Sequence, residues 1–249
     1  MRIIPMALVA VWCALAEVPS EPPVLINMIR ISGGDPTLIR PYAHARTQVD
    51  VFGMRSVTGT SEVWLMEAHD SFQSVEALDK AVQSTFRSRG AAPPSADVGQ
   101  TSMIALYRPN LSYRPDLAIK SFAKARYFQI SIHRIRPGAD SDFGELMKLR
   151  RNGLDRINLD RPDIIYQVVS GSSSETFLVL APLASLKTLD DALARIPVTP
   201  NSGPRQRDKI AADIELSSEN LLLRVEPRIS WVNQSFVDAD PEFWQSRNR

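Results

Sequence analysis

The chain has 249 residues, 44% of them hydrophobic, with 29 lysines and arginines against 28 aspartates and glutamates and a formal charge of +1. That length holds one large domain or two small ones, and the composition is that of a globular protein. The charge balance argues against a general nucleic-acid binder and offers an anionic membrane surface nothing to hold.

Met1-Arg2 gives a short positive start, and Ile3 to Ala16 is almost wholly apolar, ending in the small-x-small step Ala14-Leu15-Ala16. This predicts a signal peptide over residues 1–16, since the apolar run is too short to span a bilayer. Its cleavage predicts an exported protein, periplasmic or secreted, with no membrane attachment afterwards. Cleavage also removes Cys13, the only cysteine. A mature chain without thiols has no disulfide, no cysteine nucleophile and no thiolate metal site.

A proline-rich lead-in (EVPSEPP, residues 17–23) precedes a strand at Val24–Ile31, which Gly33-Gly34-Asp35-Pro36 ends. A helix is expected over 37–51, then strands at Met54–Thr58 and Glu62–Ala68. Ser74 is the expected N-cap of a helix with Val75, Leu78 and Val82 on one face. A loop over 89–100 leads to a strand at Ser102–Arg108. The link Leu111–Ala125 then carries the chain to a second series. Its first strand is Tyr127–Ile135, followed by a helix at Asp142–Asp155 with Phe143, Leu146, Met147 and Leu154 inward. Strands follow at Ile164–Val169 and Thr176–Ala181, and Ser185 is expected to cap a helix carrying Leu186, Leu189 and Leu193. A polar loop (197–204), a short helix around Arg207–Leu216 and a strand at Leu221–Val225 complete it. The tail after Trp231 ends in aromatic residues and is expected to pack on a seam.

The two series repeat one text. VTGTSEVWLMEAHDSFQSVEALDKAV in the first matches VSGSSSETFLVLAPLASLKTLDDAL in the second, and YRPNLSY (Tyr107–Tyr113) matches VEPRISW (Val225–Trp231). Each series reads β-α-β-β-α-β, the ferredoxin-like order. The expected fold is α+β: two tandem ferredoxin-like repeats, 22–115 and 124–232, and a tail over 233–249. A sheet with helices on one face needs a cover for the other, so the repeats are expected to pack sheet to sheet as a single-chain α/β barrel. A pseudo-twofold seam between them is where a pocket is expected.

Three histidines are candidates for chemistry, and His44, His69 and His133 show no HxH or HExxH spacing, so no metal site is expected. His133 shares a strand face with Gln129, Ser131 and Ile135. If that face is the barrel-facing one, it is the best candidate for an acid/base or a haem ligand; the commoner role is a hydrogen-bonded core histidine. His44 falls on a helix, and His69 beside Asp70 reads as a turn residue. Arg30 and Arg134 occupy matching positions, either as a clamp for a carboxylate or phosphate or as matched salt bridges to Glu62 and Glu175. Trp64, Tyr166, Gln167 and Phe177 lie on the second and third strands of the series, where they line a pocket for a flat ligand or serve as core. There is no GxSxG elbow, P-loop or dinucleotide fingerprint.

This double pattern resembles the dimeric α/β-barrel superfamily, with its antibiotic-biosynthesis-monooxygenase-like and NIPSNAP-like domains and its tandem chlorite-dismutase fold. The likeness rests on the element order, the turn-to-strand step at Gly59–Glu62 and Gly171–Glu175 (one residue longer in the second copy), and the S-x-x-x-L-D helices at Ser74–Asp79 and Ser185–Asp190. It covers nearly all of the mature chain. The resemblance implies the barrel fold, and for function it implies monooxygenases of aromatic substrates, haem-using enzymes or domains with no established activity. Haem enzymes of the tandem kind use an axial histidine, but no motif assigns that role here, and the chain itself implies no cofactor. The expected function is an exported barrel, monomer or homodimer, that binds a small apolar or aromatic ligand at the seam. The alternative is a cofactor-independent monooxygenase or a haem-dependent oxidoreductase.

Overall fold

A computed structural model describes residues 18–33, 39, 49–88, 99–195 and 206–248. The expected signal peptide, most of the helix over 37–51 with His44, most of the loop over 89–100 and all of the loop over 197–204 lie outside these. The strands are β1 (Leu25–Ser32), β2 (Val51–Ser56), β3 (Glu62–His69), β4 (Gln100–Tyr107), β5 (Tyr127–Ile135), β6 (Ile164–Ser170), β7 (Thr176–Leu183) and β8 (Glu215–Val225). Between and after them run α1 (Phe72–Ser88), α2 (Pro115–Phe122), α3 (Asp140–Arg156), α4 (Lys187–Arg195), α5 (Gln206–Ile214), α6 (Gln234–Ala239) and α7 (Pro241–Trp244).

All strand pairs are antiparallel, and they close into one barrel in the order β1-β3-β2-β8-β5-β7-β6-β4. The first four strands (β4-β1-β3-β2) meet the last four (β8-β5-β7-β6) along their edges, at β2–β8 and β4–β6. Among the described strands, closure leaves no edge open to another chain.

Alternation along each strand decides what faces inward. Ile26 and Met28, Phe52 and Met54, Trp64 and Met66, Phe128, Ile130 and Ile132, Leu178 and Leu180, and Leu221, Leu223 and Val225 form one buried cluster. Ala118, Ile119 and Phe122 of α2 join it, with Phe236 and Trp244 of the tail, so these elements plug one barrel end. Phe52 is the hub of that plug. It meets Phe122, Phe236 and Trp244 edge to face at centroid distances of 5.6, 5.3 and 6.0 Å. The Trp244 indole N–H donates to the Ala123 carbonyl at 2.8 Å, which ties the tail to this barrel end.

On the outside, Phe143, Leu146 and Met147 of α3 and Ile214 of α5 cover Ile135, Ile165, Phe177 and Val179. Every residue of β7 is buried, as befits a strand with the barrel core on one side and helices on the other.

Several elements differ from expectation for visible reasons. The link Leu111–Ala125 contains α2, whose eight residues are too few to show a helical period in the sequence; Pro115 starts it with its preset φ. β2 begins at Val51 rather than Met54, because Val51, Phe52 and Gly53 pair with Glu67, Met66 and Leu65 of β3, and the Val51 N–H also bonds the Trp231 carbonyl at 2.7 Å. Ser71, not Ser74, caps α1: its hydroxyl accepts from the Ser74 N–H at 3.2 Å. In α4, Leu193 is 69% exposed and Ala192 is the buried residue. β8 reaches back to Glu215, its polar stretch ELSSEN held by pairing with β5 rather than by apolar alternation.

Candidate functional site

Strand register sorts the candidate residues. Arg30 lies opposite Trp64 in the first half, whereas Arg134 lies opposite Thr176 in the second. The extra residue in the second turn slips β7 by one, so Thr176 takes the place of Trp64. A one-residue slip turns each side chain to the other face. Phe177 therefore points outward, stacked on Phe143 at 4.2 Å, and does not match Trp64. Gln167 is on the outer face too, its amide donating to the Ser174 carbonyl at 2.9 Å.

Arg30, Trp64 and Arg134 remain together at one barrel mouth. Arg30 Nε donates to Glu62 at 2.7 Å and its terminal nitrogens to Glu219 at 3.3 and 3.4 Å, while the Trp64 indole N–H donates to Glu62 at 3.0 Å. The expected bridge to Glu62 is thus present. The bridge from Arg134 to Glu175 is not: the same slip leaves Glu175 with Ser173, and Arg134 donates to Ser172 Oγ at 3.2 Å.

His133 faces outward under α3 and α5, not into the barrel. Its Nδ1 lies 2.7 Å from Glu215 Oε1 and its ring 5.7 Å from that of Phe143. It lines a cavity of about 410 Å³ with Gln129, Ser131, Arg150, Arg161 and Asn220. Arg150 is bound to the fully buried carboxylate of Asp163. Arg161 donates to the Gln129 amide oxygen, while its Nε has no partner. Burial lowers its guanidinium below the ordinary arginine range, and the charge of Arg150 adds to this.

His69 is not a turn residue. It ends β3 at 1% exposure, with Nδ1 2.9 Å from Ser74 Oγ and Nε2 3.4 Å from Glu67, which also accepts from Asn27 at 2.7 Å. An acid inside the apolar run EVWLMEAH was the available signal for this network. Among the described residues no three histidine, cysteine, aspartate or glutamate side chains form a metal-sized group, and no helix is long and apolar enough to cross a membrane.

The remaining candidate, Tyr166, leads to the opposite barrel end. There a cavity of about 390 Å³ is lined by Ile26, Phe52 and Met66 from the first half and by Phe122, Tyr166 and Phe236 from later elements. Glu21, Asp50 and Asp70 add carboxylates. The Tyr166 hydroxyl donates to the Pro23 carbonyl at 3.1 Å, and burial holds its phenol well above the ordinary range. Asp50 accepts from the Asn233 backbone N–H at 2.5 Å and its side-chain amide at 2.8 Å, yet burial outweighs these bonds and raises its carboxyl pKa.

The sign of that shift sets a pH dependence. The folded state holds the Asp50 proton more tightly than the unfolded chain, so ionisation disfavours folding. Below about pH 4 both states are protonated and the group contributes nothing; the loss sets in above that and is complete past the raised pKa. Relative to Asp50→Ala, the protein is therefore expected to lose unfolding free energy as pH rises from about 4. Chemical denaturation of both proteins across that range checks this, and an opposite slope contradicts it.

No family model matches the sequence, and none of the curated proteins matches it. Solved structures do match. An anthrone oxidase-like protein superposes with a TM-score of 0.55 at 10% identity, over 81% of this chain and 91% of that one. A proposed monooxygenase of Fusobacterium nucleatum subsp. nucleatum superposes with a TM-score of 0.51 at 8% identity and the same coverage. A proposed chlorite dismutase overlaps at 0.48, with 15% identity over 82% of this chain and 95% of that one. At such identities the likeness speaks for architecture alone, and the chain has the fold of the ferredoxin-like α/β barrels.

Proposed function

We propose that the protein binds a small apolar or aromatic molecule in the cavity at the plugged barrel end. The lining is what supports this: six large apolar and aromatic side chains from distant parts of the chain converge on about 390 Å³, within the range of small-ligand pockets. The test is a fluorescence titration with 2-naphthol. The protein is expected to bind it saturably and one to one. Ala68→Trp, which fills the cavity from β3, is expected to weaken binding by about tenfold or more. Absence of saturable binding, or equal binding by the filled variant, contradicts the proposal.

The same proposal takes the two halves as copies of one βαββαβ unit and the chain as exported after cleavage behind Ala16. Intact-mass analysis then finds Glu17 as the first residue, and a retained Met1 contradicts it.

A second function, an enzyme of the oxygenase kind, is favoured by the His133–Glu215 pair. In the neutral tautomer that carries its proton on Nδ1 toward Glu215, His133 has a lone pair on Nε2. That nitrogen can take a proton from a substrate in the cavity beside Arg161. The residues do not fit a haem: the sheet side of this cavity is polar, with Gln129, Ser131 and Asn220 where the macrocycle needs apolar contact. Under this alternative, His133→Gln abolishes turnover and leaves naphthol binding intact.

A further inference from the structure

The barrel mouth opposite the apolar cavity is open because of the register slip. In the first half the bulk of Trp64 fills the position facing Arg30; in the second the much smaller Thr176 faces Arg134. The difference leaves a cavity of about 300 Å³, bordered by Arg134, Ser172, Thr176, Ser217 and Ser218 and, on its other side, by the Arg30–Glu219 ion pair.

One group there lacks the partner its burial demands, and a second carries a charge with no counter-ion. Thr176 is 1% exposed, and its hydroxyl has no hydrogen-bond partner. A buried polar group left unpaired is destabilising, and such groups are rare in folded proteins. Arg134 makes no ion pair among the described residues, its one hydrogen bond going to Ser172. The other charges at this mouth are already engaged: both Glu62 and Glu219 accept from Arg30, which draws the negative pole to that side and leaves the positive pole at Arg134.

We propose that this mouth binds a small oxyanion, a carboxylate or a phosphate. Arg134 attracts it by charge, and the Thr176 hydroxyl donates to it, supported by the surrounding serines. This site is separate from the apolar cavity and does not depend on ligand binding there.

The test is thermal unfolding in inorganic phosphate or acetate against chloride at equal ionic strength. The protein is expected to melt higher in at least one of the two oxyanions, and which one works identifies the group bound. Sulfate-like exclusion effects raise the melting temperature of any protein, so two variants carry the decision. Arg134→Gln and Thr176→Val are each expected to lose the oxyanion-dependent shift. In chloride, Thr176→Val is expected to melt no lower than the parent, because the same shape without an unpaired hydroxyl gives up no bond. No shift in the parent, or an equal shift in both variants, overturns the proposal.

Discussion

Replacing Gly171 by alanine is expected to destabilise the protein by about 2–5 kcal/mol. Gly171 turns the chain from β6 to β7 with φ +89°, and the turn presses directly on β4. An added Cβ would lie 2.2 Å from the Ser102 carbonyl oxygen and 2.9 Å from the Met103 Cα. The left-handed conformation alone costs a side chain about 1–2 kcal/mol, and crowding against backbone adds about 1–3. Gly138 is the internal control. Its φ is +80° and an added Cβ there meets nothing within 4 Å, so Gly138→Ala isolates the conformational cost. Denaturant unfolding of both variants separates the two contributions. If Gly171→Ala loses no more than Gly138→Ala, then β4 does not lie against this turn. The other seam has its own close approach: a Cβ on Gly53 in β2 would lie 2.1 Å from the Ile229 carbonyl oxygen, just past β8.

Phe52→Ala is expected to cost about 3–5 kcal/mol and to weaken naphthol binding at the same time. The ring is 2% exposed and touches aromatic side chains from α2, β5, α6 and α7, with Phe128 the fourth at 6.4 Å. Each such edge-to-face pair adds about 0.5–1.5 kcal/mol beyond area burial. Removing the hub also enlarges the cavity it lines, so bound naphthol loses one wall. Phe122→Ala, which removes one of the four rings around Phe52 and leaves the hub in place, is the comparison and is expected to cost less. If Phe52→Ala costs under about 1.5 kcal/mol, the tail and α2 do not plug the barrel through this ring.

The architecture was readable where local pattern and tertiary demand agree. Tyr127–Ile135 reads as a strand from its alternation and is one with the same bounds. Phe143, Leu146 and Met147 read as the inner stripe of a helix and are buried together. The order of elements carried the ferredoxin-like topology.

What escaped the sequence depends on register and on distance along the chain. Aligning the two halves on their letters matches Trp64 with Phe177 and Glu62 with Glu175. The ladder instead matches Trp64 with Thr176, because turn length, not residue likeness, sets which face a side chain takes. That single residue turned Phe177 outward, left Glu175 away from Arg134 and opened one barrel mouth. Tyr166, expected either in a pocket or in the core, lines the cavity at one barrel end. Its companions Phe52, Phe122 and Phe236 lie on three elements far apart in sequence, and no spacing rule connects them. Arg161 escaped for a related reason: the cavity it lines is built from β5, α3 and α5 rather than from anything in its own segment.

The account rests on closure of the barrel between its two halves, and amide hydrogen exchange tests that most directly. Three backbone bonds cross the seams at 2.8 Å: Val57 N–H to the Leu222 carbonyl, Glu226 N–H to the Gly53 carbonyl, and Arg108 N–H to the Ile165 carbonyl. Exchange at these amides is expected to be as slow as in the β1–β3 ladder, with the same dependence on denaturant, so that seams and sheets open only in global unfolding. Seam amides that exchange fast while β1–β3 and β5–β7 stay protected would show two independent sheets, and the cavities at the barrel ends would be lost with the closure.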